Sequence, residues 1–179
     1  MLSKLTAALL AVLLLYYFPM MQNAKRQEDI AQLNEYRIVG AFVDAVRNKG
    51  YLSADMYEDF TAQLGTVLEG FDVELEHRHK KYQPEYSDPA NPSTFLEKYS
   101  VHEEAHYQAE ILEQLFPATA AAAGDTRKYM LSEGDYFDVK VQDHSTKPSS
   151  VLGRVLYGEW YAAAETELQY GGMVLNEDY

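Results

Sequence analysis

The chain has 179 residues, a formal net charge of −13 and no cysteine. Without cysteine it forms no disulfide framework and offers no thiolate to a metal ion or to nucleophilic catalysis. The acidic balance argues against a phosphate-binding surface, so we expect no nucleic-acid partner. The length is sufficient for one domain with its own core beside a short anchor.

An uncharged apolar run covers residues 5–21 and decides where we expect the protein to reside. At about 1.5 Å per residue, such a helix is near the lower limit for crossing a hydrocarbon core of roughly 30 Å. Pro19 is tolerated in a membrane helix. A cleaved signal peptide is the alternative, but cleavage after Ala24 would place Gln22 where signal peptidase requires a small residue. We therefore predict a retained transmembrane anchor over residues 1–25.

The run is flanked by positive charge on both sides, with Lys4 before it and Lys25 and Arg26 after it. The positive-inside rule therefore gives nearly equal weight to the two orientations. Small residues in the run would let anchors pack side by side in lipid, which makes self-association a candidate property. These residues are Ala7, Ala8 and Ala11.

Apolar residues continue after the run at helical spacing, without a turn signal. Steps of three and four predict that residues 26–50 extend the same helix as an amphipathic segment packed on a small domain. Asn48, Lys49 and Gly50 predict its end, with Gly at the position that follows a helix. The predicted stripe contains Ile30, Leu33, Tyr36 or Arg37, Val39 or Gly40, Val43, and Val46 or Arg47.

Residues 51–179 are predicted to form one α+β domain. Ser53 caps a helix over residues 54–67, and strict alternation predicts a strand over residues 71–77. Three prolines place a loop at residues 82–93. The other predicted elements are a helix at 94–116, a flexible connection at 118–125, a strand at 136–142, a helix after Pro148 and a short strand at 169–175.

The resulting fold class is α+β: a long N-terminal helix packed on a few-stranded antiparallel sheet with three further helices. A small sheet of this kind needs cover for its edge strands. In the last helix we expect an inward apolar stripe. Its residues are Val151, Leu152, Val155, Leu156 and Trp160.

Residues 102–106 read His-Glu-Glu-Ala-His and match the pattern H-E-x-x-H. On a helix, His102 and His106 lie one turn apart and can both bind zinc, with Glu103 as general base. A membrane-tethered zinc-dependent hydrolase is therefore one alternative function. The other interpretation is a solvated helix face, because these residues lie among charged neighbours. We favour the solvated face, and assign no enzymatic activity and no catalytic, cofactor or metal residue.

Residues 77–81 read His-Arg-His-Lys-Lys and form a short basic cluster at the end of a predicted strand. Together with tyrosines, which favour contact surfaces, they suggest a cell-wall or glycan-binding module as a second alternative. The plainer interpretation is a neutralised strand end with a hydrogen-bonded core histidine at His77. Asp135 follows Gly134 and has the pattern of a turn residue rather than an acid catalyst. The tyrosines of this alternative are Tyr82, Tyr86 and Tyr99.

Several segments together resemble a known family. They are the N-terminal anchor with its amphipathic helix, residues 42–52, 56–60 and 71–77, and residues 131–135 leading to 139–141. The whole resembles pilin-like, minor-pseudopilin-like membrane proteins of tight-adherence (type IV-related) pilus systems in Gram-positive bacteria. Leu5 stands where major pilins carry a glutamate, so the resemblance implies a minor or accessory component.

The resemblance implies a single-pass protein of the cell membrane with its C-terminal domain outside the cytoplasm. It implies a non-catalytic, structural role in a surface filament or a related secretion assembly, without a cofactor. The expected partners are membrane lipid, through the N-terminal helix, and other pilin-like subunits or proteins of the assembly platform.

Overall fold

The computed structural model describes residues 2–88, 90–117, 127–160 and 166–177. Its first element, α1 (Leu2–Lys49), is one continuous helix of 48 residues. The predicted α+β class is confirmed, with three further helices and two small antiparallel sheets in the described residues. The elements after α1 are β1 (Tyr51–Ser53), α2 (Ala54–Gly65), β2 (Phe71–Tyr86), a 3-10 turn (Pro92–Thr94), β3 (Phe95–Tyr107), α3 (Gln108–Leu115), β4 (Lys128–Met130), β5 (Tyr136–Asp143), α4 (Pro148–Tyr157), a second 3-10 turn (Gly158–Trp160) and β6 (Thr166–Met173).

The larger sheet has the strand order β3-β2-β5-β6, and β1 pairs with β4 in a separate two-stranded sheet. The predicted strands at 71–77 and 136–142 are confirmed as parts of β2 and β5, and the last predicted strand lies a few residues earlier, as β6. In the register of β2, His77 lies opposite His106 of β3 on one side and Phe137 of β5 on the other. The central strand therefore brings distant parts of the chain to one place.

The core lies between the C-terminal half of α1 and one face of the larger sheet. Val39, Val43 and Val46, at helical spacing, are fully buried and belong to one cluster with alternate residues of β5. Phe42 stacks on Phe60 of α2 with ring centroids 4.1 Å apart, and its ring meets that of Phe137 of β5 at 6.3 Å. One aromatic side chain of α1 thus joins α2 to the sheet.

The predicted boundaries near residue 50 are confirmed. α1 ends at Lys49, and Gly50 follows with a φ of +68°, a conformation that favours glycine. The hydroxyl of Ser53 accepts a hydrogen bond of 3.2 Å from the Met56 amide and so caps α2. A side-chain cap and a glycine with positive φ each depend only on residues within one turn of the helix end. The sequence alone therefore indicates where these helices begin and end.

The predicted helix over residues 94–116 is wrong for most of its length. Residues 95–107 form β3, and only Gln108–Leu115 are helical. β3 is hydrogen-bonded along almost its whole length to β2, and this pairing extends β2 to Tyr86, so residues 82–86 of the predicted loop are also strand. Backbone pairing with β2, the preceding strand of the hairpin, outweighs the weak helix preference of a Glu-rich segment. The predicted connection at 118–125 lies outside the described residues.

Two predicted apolar stripes are also corrected. In α1, Ile30 and Leu33 are exposed, because the helix face turned to the domain at this point carries Ala24, Glu28, Ala31 and Glu35 instead. In α4, the buried residues are small, and the predicted inward residues except the half-buried Leu152 are exposed. The buried residues of α4 are Ser149, Ser150 and Gly153.

Glu35 is a buried carboxylate on α1, with 2% of its surface exposed. Its Oε1 has no hydrogen-bond partner within the described residues. Burial, followed by the charge of Asp143, raises the pKa of Glu35, while Lys147 acts in the opposite direction. Because the folded state then binds a proton more tightly than the unfolded state, Glu35 costs stability at neutral pH, and this cost falls as the pH decreases.

We expect Glu35→Gln to raise the free energy of unfolding at pH 7 by roughly 1 kcal/mol, since it removes an under-partnered buried charge. The gap between the variant and the wild type should close as the pH falls through the raised pKa toward the ordinary carboxyl value. Urea unfolding of both proteins between pH 7.5 and 4.5 measures this. Glu69→Gln, at an exposed position of the same groove, is the control, and a gap independent of pH would contradict the prediction.

Candidate functional site

The N-terminal half of α1 projects from the domain as an exposed apolar helix. The exposed large apolar residues of the run have between 52% and 73% of their surface accessible to solvent. α1 is the one helix in the described residues that is long and apolar enough to cross a membrane, and a signal sequence near the N-terminus shares these properties. Exposed apolar surface of this extent is costly in water. It therefore indicates that a partner or a lipid phase covers this part of the helix.

α4 lies beside this apolar segment. The hydroxyl of Tyr17, inside the run, donates a hydrogen bond of 2.9 Å to the carbonyl of Leu152. The carboxylate of Glu28 accepts bonds of 2.7 Å from both the amide and the hydroxyl of Ser149, at the start of α4. These contacts hold the small-residue side of α4 against α1. The opposite side carries Val151 and Val155, which are exposed. Leu156 and Tyr157, at the end of the helix, and Trp160, in the turn that follows, are exposed as well.

A second feature is a cluster of imidazoles and a carboxylate at the junction of the two sheets. The Nε2 of His77 lies 2.9 Å from Oδ2 of Asp135, and the Nδ1 of His79 lies 2.8 Å from Oδ1 of the same carboxylate. Strand alternation places His77 and His79 on one face of β2. Asp135 immediately precedes β5, in the turn that contains Gly134 at a φ of +88°. One ligand atom from each of the three side chains lies within 4.8 Å of the others, so together they could hold a metal ion.

Neighbouring groups orient this cluster. The hydroxyl of Tyr129, in β4, lies 2.7 Å from the Nδ1 of His77, and the amide of Ser132 donates to Oδ2 of Asp135 at 2.8 Å. His106 stacks on His77 with centroids 5.7 Å apart, and its Nδ1 lies 2.8 Å from a carboxylate oxygen of Glu110. These residues line one open cleft, together with Gln114, Lys128 and Met130.

The electrostatics of the cluster follow from burial, since the side chains of His77 and Asp135 are only 5% and 3% exposed. Burial lowers the pKa of His77, although its hydrogen bond to Asp135 acts in the opposite direction. Burial alone would raise the pKa of Asp135, but hydrogen bonds from His77, Ser132 and His79 outweigh it and hold this pKa below its ordinary value. Burial also raises the pKa of Tyr129 to about 12. At neutral pH the pair therefore consists of a neutral imidazole and a carboxylate.

The residues of the H-E-x-x-H pattern are not brought together as the helical interpretation requires. His102 and His106 lie on β3, where residues four apart are about 13 Å apart. They therefore cannot bind one metal ion. His106 instead faces His77, whereas His102 lies opposite Lys81 further along the hairpin. Glu103 and Glu104 are exposed, and Glu104 forms an ion pair with Lys81.

The basic residues 77–81 do not form one patch, because β2 sends them alternately to its two faces. Arg78 donates to Asp138 at 2.7 Å and lies over the ring of Tyr136, as does Lys80. His77 is the buried, hydrogen-bonded histidine of the plainer interpretation. The exposed tyrosines of the second alternative lie further along the β2–β3 hairpin: Tyr82, Tyr86 and Tyr99.

Sequence reasoning missed Asp135 and Tyr129 as members of a cluster. The H-x-H spacing of His77 and His79 on a strand was the available signal, since alternation places both on one face. Nothing local connects these residues to Asp135, which lies more than 50 positions later in the chain.

The chain has no match among protein family models, curated proteins or solved structures. The assignment of function therefore depends on the geometry of its own residues. The exposed part of α1 with α4 bears on where the protein resides. The cluster of His77, His79 and Asp135 bears on what it can bind.

Proposed function

We propose that this protein is a membrane-anchored, non-catalytic, pilin-like accessory subunit of a surface filament or related secretion assembly. The observation that carries the proposal is the division of α1. Its first half is apolar and exposed, and its second half forms part of the core of an α+β domain. Such a helix joins a membrane segment rigidly to a folded domain, without a linker between them. On this proposal the domain lies outside the cytoplasm.

The exposed face of α4 supports the membrane part of the proposal. Tyr17, which contacts α4, lies four residues before the end of the apolar run, or about 6 Å along the helix. An apolar helix face at that depth would enter the boundary between headgroups and acyl chains, where amphipathic helices and Trp side chains bind. Anchor and α4 would then contact the same leaflet.

We expect Trp160, the only tryptophan in the chain, to report this contact. It is 96% exposed without lipid, so its emission should shift to the blue in lipid vesicles and be quenched by brominated acyl chains. Val155→Asp places a charge on the same face and should weaken both effects. Val101→Asp, the same substitution at an exposed valine of β3, is the matched control. If Trp160 in detergent-free vesicles emitted at the same wavelength as a tryptophan peptide in water, the proposed contact would be contradicted.

The exposed residues Ile30, Leu33 and Tyr36 support the assembly part of the proposal. They continue the apolar character of α1 beyond the membrane segment and are 51% to 69% exposed. Neighbouring copies or related subunits that pack their helices side by side would cover this stripe. Within lipid, close approach would use the small residues Ala7, Ala8 and Ala11.

Because the chain has no cysteine, single cysteines test lateral assembly in intact cells. Ala8→Cys and Ala11→Cys place a thiol on the small-residue face, whereas Leu13→Cys, two positions after Ala11, places it near the opposite side of the helix. After oxidation we expect dimers or mixed species at Ala8 and Ala11 but not at Leu13. Glu113→Cys, exposed on α3, reports contacts between domains.

The pattern of cross-links decides between assembly and a simple tether. Cross-links confined to one helix face would support packing in a defined orientation. Monomer at every position, with normal expression, would overturn the assembly role and leave a plain membrane tether. Equal yields at Ala11 and Leu13 would indicate random collision and would also count against it.

A further inference from the structure

We propose that His77, His79 and Asp135 bind one divalent transition-metal ion of the Zn²⁺ class, independently of membrane anchoring or assembly. The ligand atoms are the Nε2 of His77, the Nδ1 of His79 and a carboxylate oxygen of Asp135. This site differs from the H-E-x-x-H pattern, whose histidines are separated along β3.

The distances between the ligand atoms are close to those of a metal site. With bonds of about 2.0–2.1 Å, two ligands of a tetrahedral zinc ion lie roughly 3.3 Å apart. The imidazole nitrogens of His77 and His79 lie 2.9 and 2.8 Å from the oxygens of Asp135. The two nitrogens contact different oxygens of Asp135, and one ligand atom from each of the three residues lies within 4.8 Å of the others. Binding would therefore require the three side chains to rotate so that their ligand atoms converge to about 3.3 Å.

The donor set favours zinc and its neighbours over magnesium or calcium. Imidazole suits Zn²⁺, Cu²⁺, Ni²⁺ and Fe²⁺, whereas the harder ions prefer oxygen ligands throughout. Three protein ligands leave a fourth position, which in this fold opens into the cleft beside His106. A water molecule or His106 itself can fill it.

The groups around the cluster resemble the outer shell of metal sites, in which the second nitrogen of a ligating imidazole is hydrogen-bonded. The Nδ1 of His77 already has such a partner in the hydroxyl of Tyr129, at 2.7 Å. When a metal occupies Nε2, the imidazole hydrogen lies on Nδ1 and is donated to the Tyr129 oxygen, which both donates and accepts. The Ser132 amide holds Asp135 in the same way.

Charge supplies the attraction. Asp135 is a buried carboxylate, and its oxygens contact His77, His79 and the Ser132 amide. A divalent cation is attracted strongly to a buried carboxylate, because the effective dielectric constant there is lower than in water. His79, one-third exposed, lies at the mouth of the cleft, so an ion can enter from solvent. A divalent cation here would compensate Asp135 and join β2 to the turn before β5.

The test uses the full-length protein in detergent micelles, purified through a tag without histidine and freed of metal with a chelator. Zn²⁺ is titrated by calorimetry, and the metal retained after gel filtration is measured. We expect one Zn²⁺ per chain. His79→Ala, chosen because this side chain is partly exposed, should weaken binding by more than the roughly 10–100-fold that loss of an outer-shell group costs. Tyr129→Phe should weaken it by about tenfold.

The matched control is His102→Ala, which removes an exposed histidine from β3 and should leave the affinity unchanged. The chain has five histidines, so imidazole NMR signals give a direct readout. Zn²⁺ should shift those of His77 and His79 and leave those of His102 and His144 in place. Absence of Zn²⁺ binding, or equal affinities of wild type and His79→Ala, would overturn the site. If His79→Ala does not fold, the Tyr129→Phe affinity and the NMR shifts decide.

Discussion

Replacing Phe42 by alanine is expected to lower the free energy of unfolding by about 3–5 kcal/mol. The ring is buried and lies between Phe60 of α2 and Phe137 of β5, so its loss leaves a cavity that three elements would have to move to fill. Domains of this size are stable by only about 5–15 kcal/mol. The variant should therefore unfold roughly 10 °C or more below the wild type.

Thermal unfolding followed by circular dichroism, in the same detergent for both proteins, measures this loss. Leu33→Ala is the control, because Leu33 lies on the same helix but is exposed and its truncation should change stability by no more than about 0.5 kcal/mol. Similar melting temperatures for Phe42→Ala and Leu33→Ala would show that α1 does not contribute to the domain core as described.

Leu13→Arg is expected to release much of the protein from the membrane. Eight Leu, Val and Phe residues of the run each favour insertion by roughly 0.3–0.6 kcal/mol, together about 2–5 kcal/mol. Arginine at the centre of a membrane helix costs about 2.5–3.5 kcal/mol, so a single substitution cancels most of this gain. The share of protein that remains in the membrane fraction after an alkaline wash measures the effect.

Leu33→Arg introduces the same side chain twenty positions later in the same helix, at an exposed position outside the run, and should remain in the membrane. The intact mass of the wild type adds a second readout, since cleavage after Ala24 would shorten the chain and a retained anchor would not. Full retention of Leu13→Arg would contradict the assignment of residues 5–21 as the anchor.

Several elements could be predicted because their signals are local. The Ser53 cap and the glycine at position 50 mark helix ends through contacts within one turn. Alternation at residues 71–77 and 136–142 marks strands because one face of each is buried in the core. Pro148 marks the start of α4 because proline is suited to the first turn of a helix.

Other features could not be predicted because contacts between different elements decide them. β3 is a strand because β2 pairs with it along almost its whole length, and this pairing removes the one-turn relation between His102 and His106. α4 turns its small residues to α1 because Tyr17 and Glu28 bind its backbone and Ser149, which leaves its apolar residues outward.

The sequence by itself determined the fold class, the apolar N-terminal helix and the absence of cysteine chemistry. These are properties of composition and of short-range periodicity, which need no knowledge of the partner surface. The tertiary structure alone decided that His77, His79 and Asp135 meet, and that α4 presents exposed apolar residues beside the apolar N-terminal half of α1. Strand register and helix packing set these relations, and both depend on backbone and side-chain contacts between residues far apart in the chain.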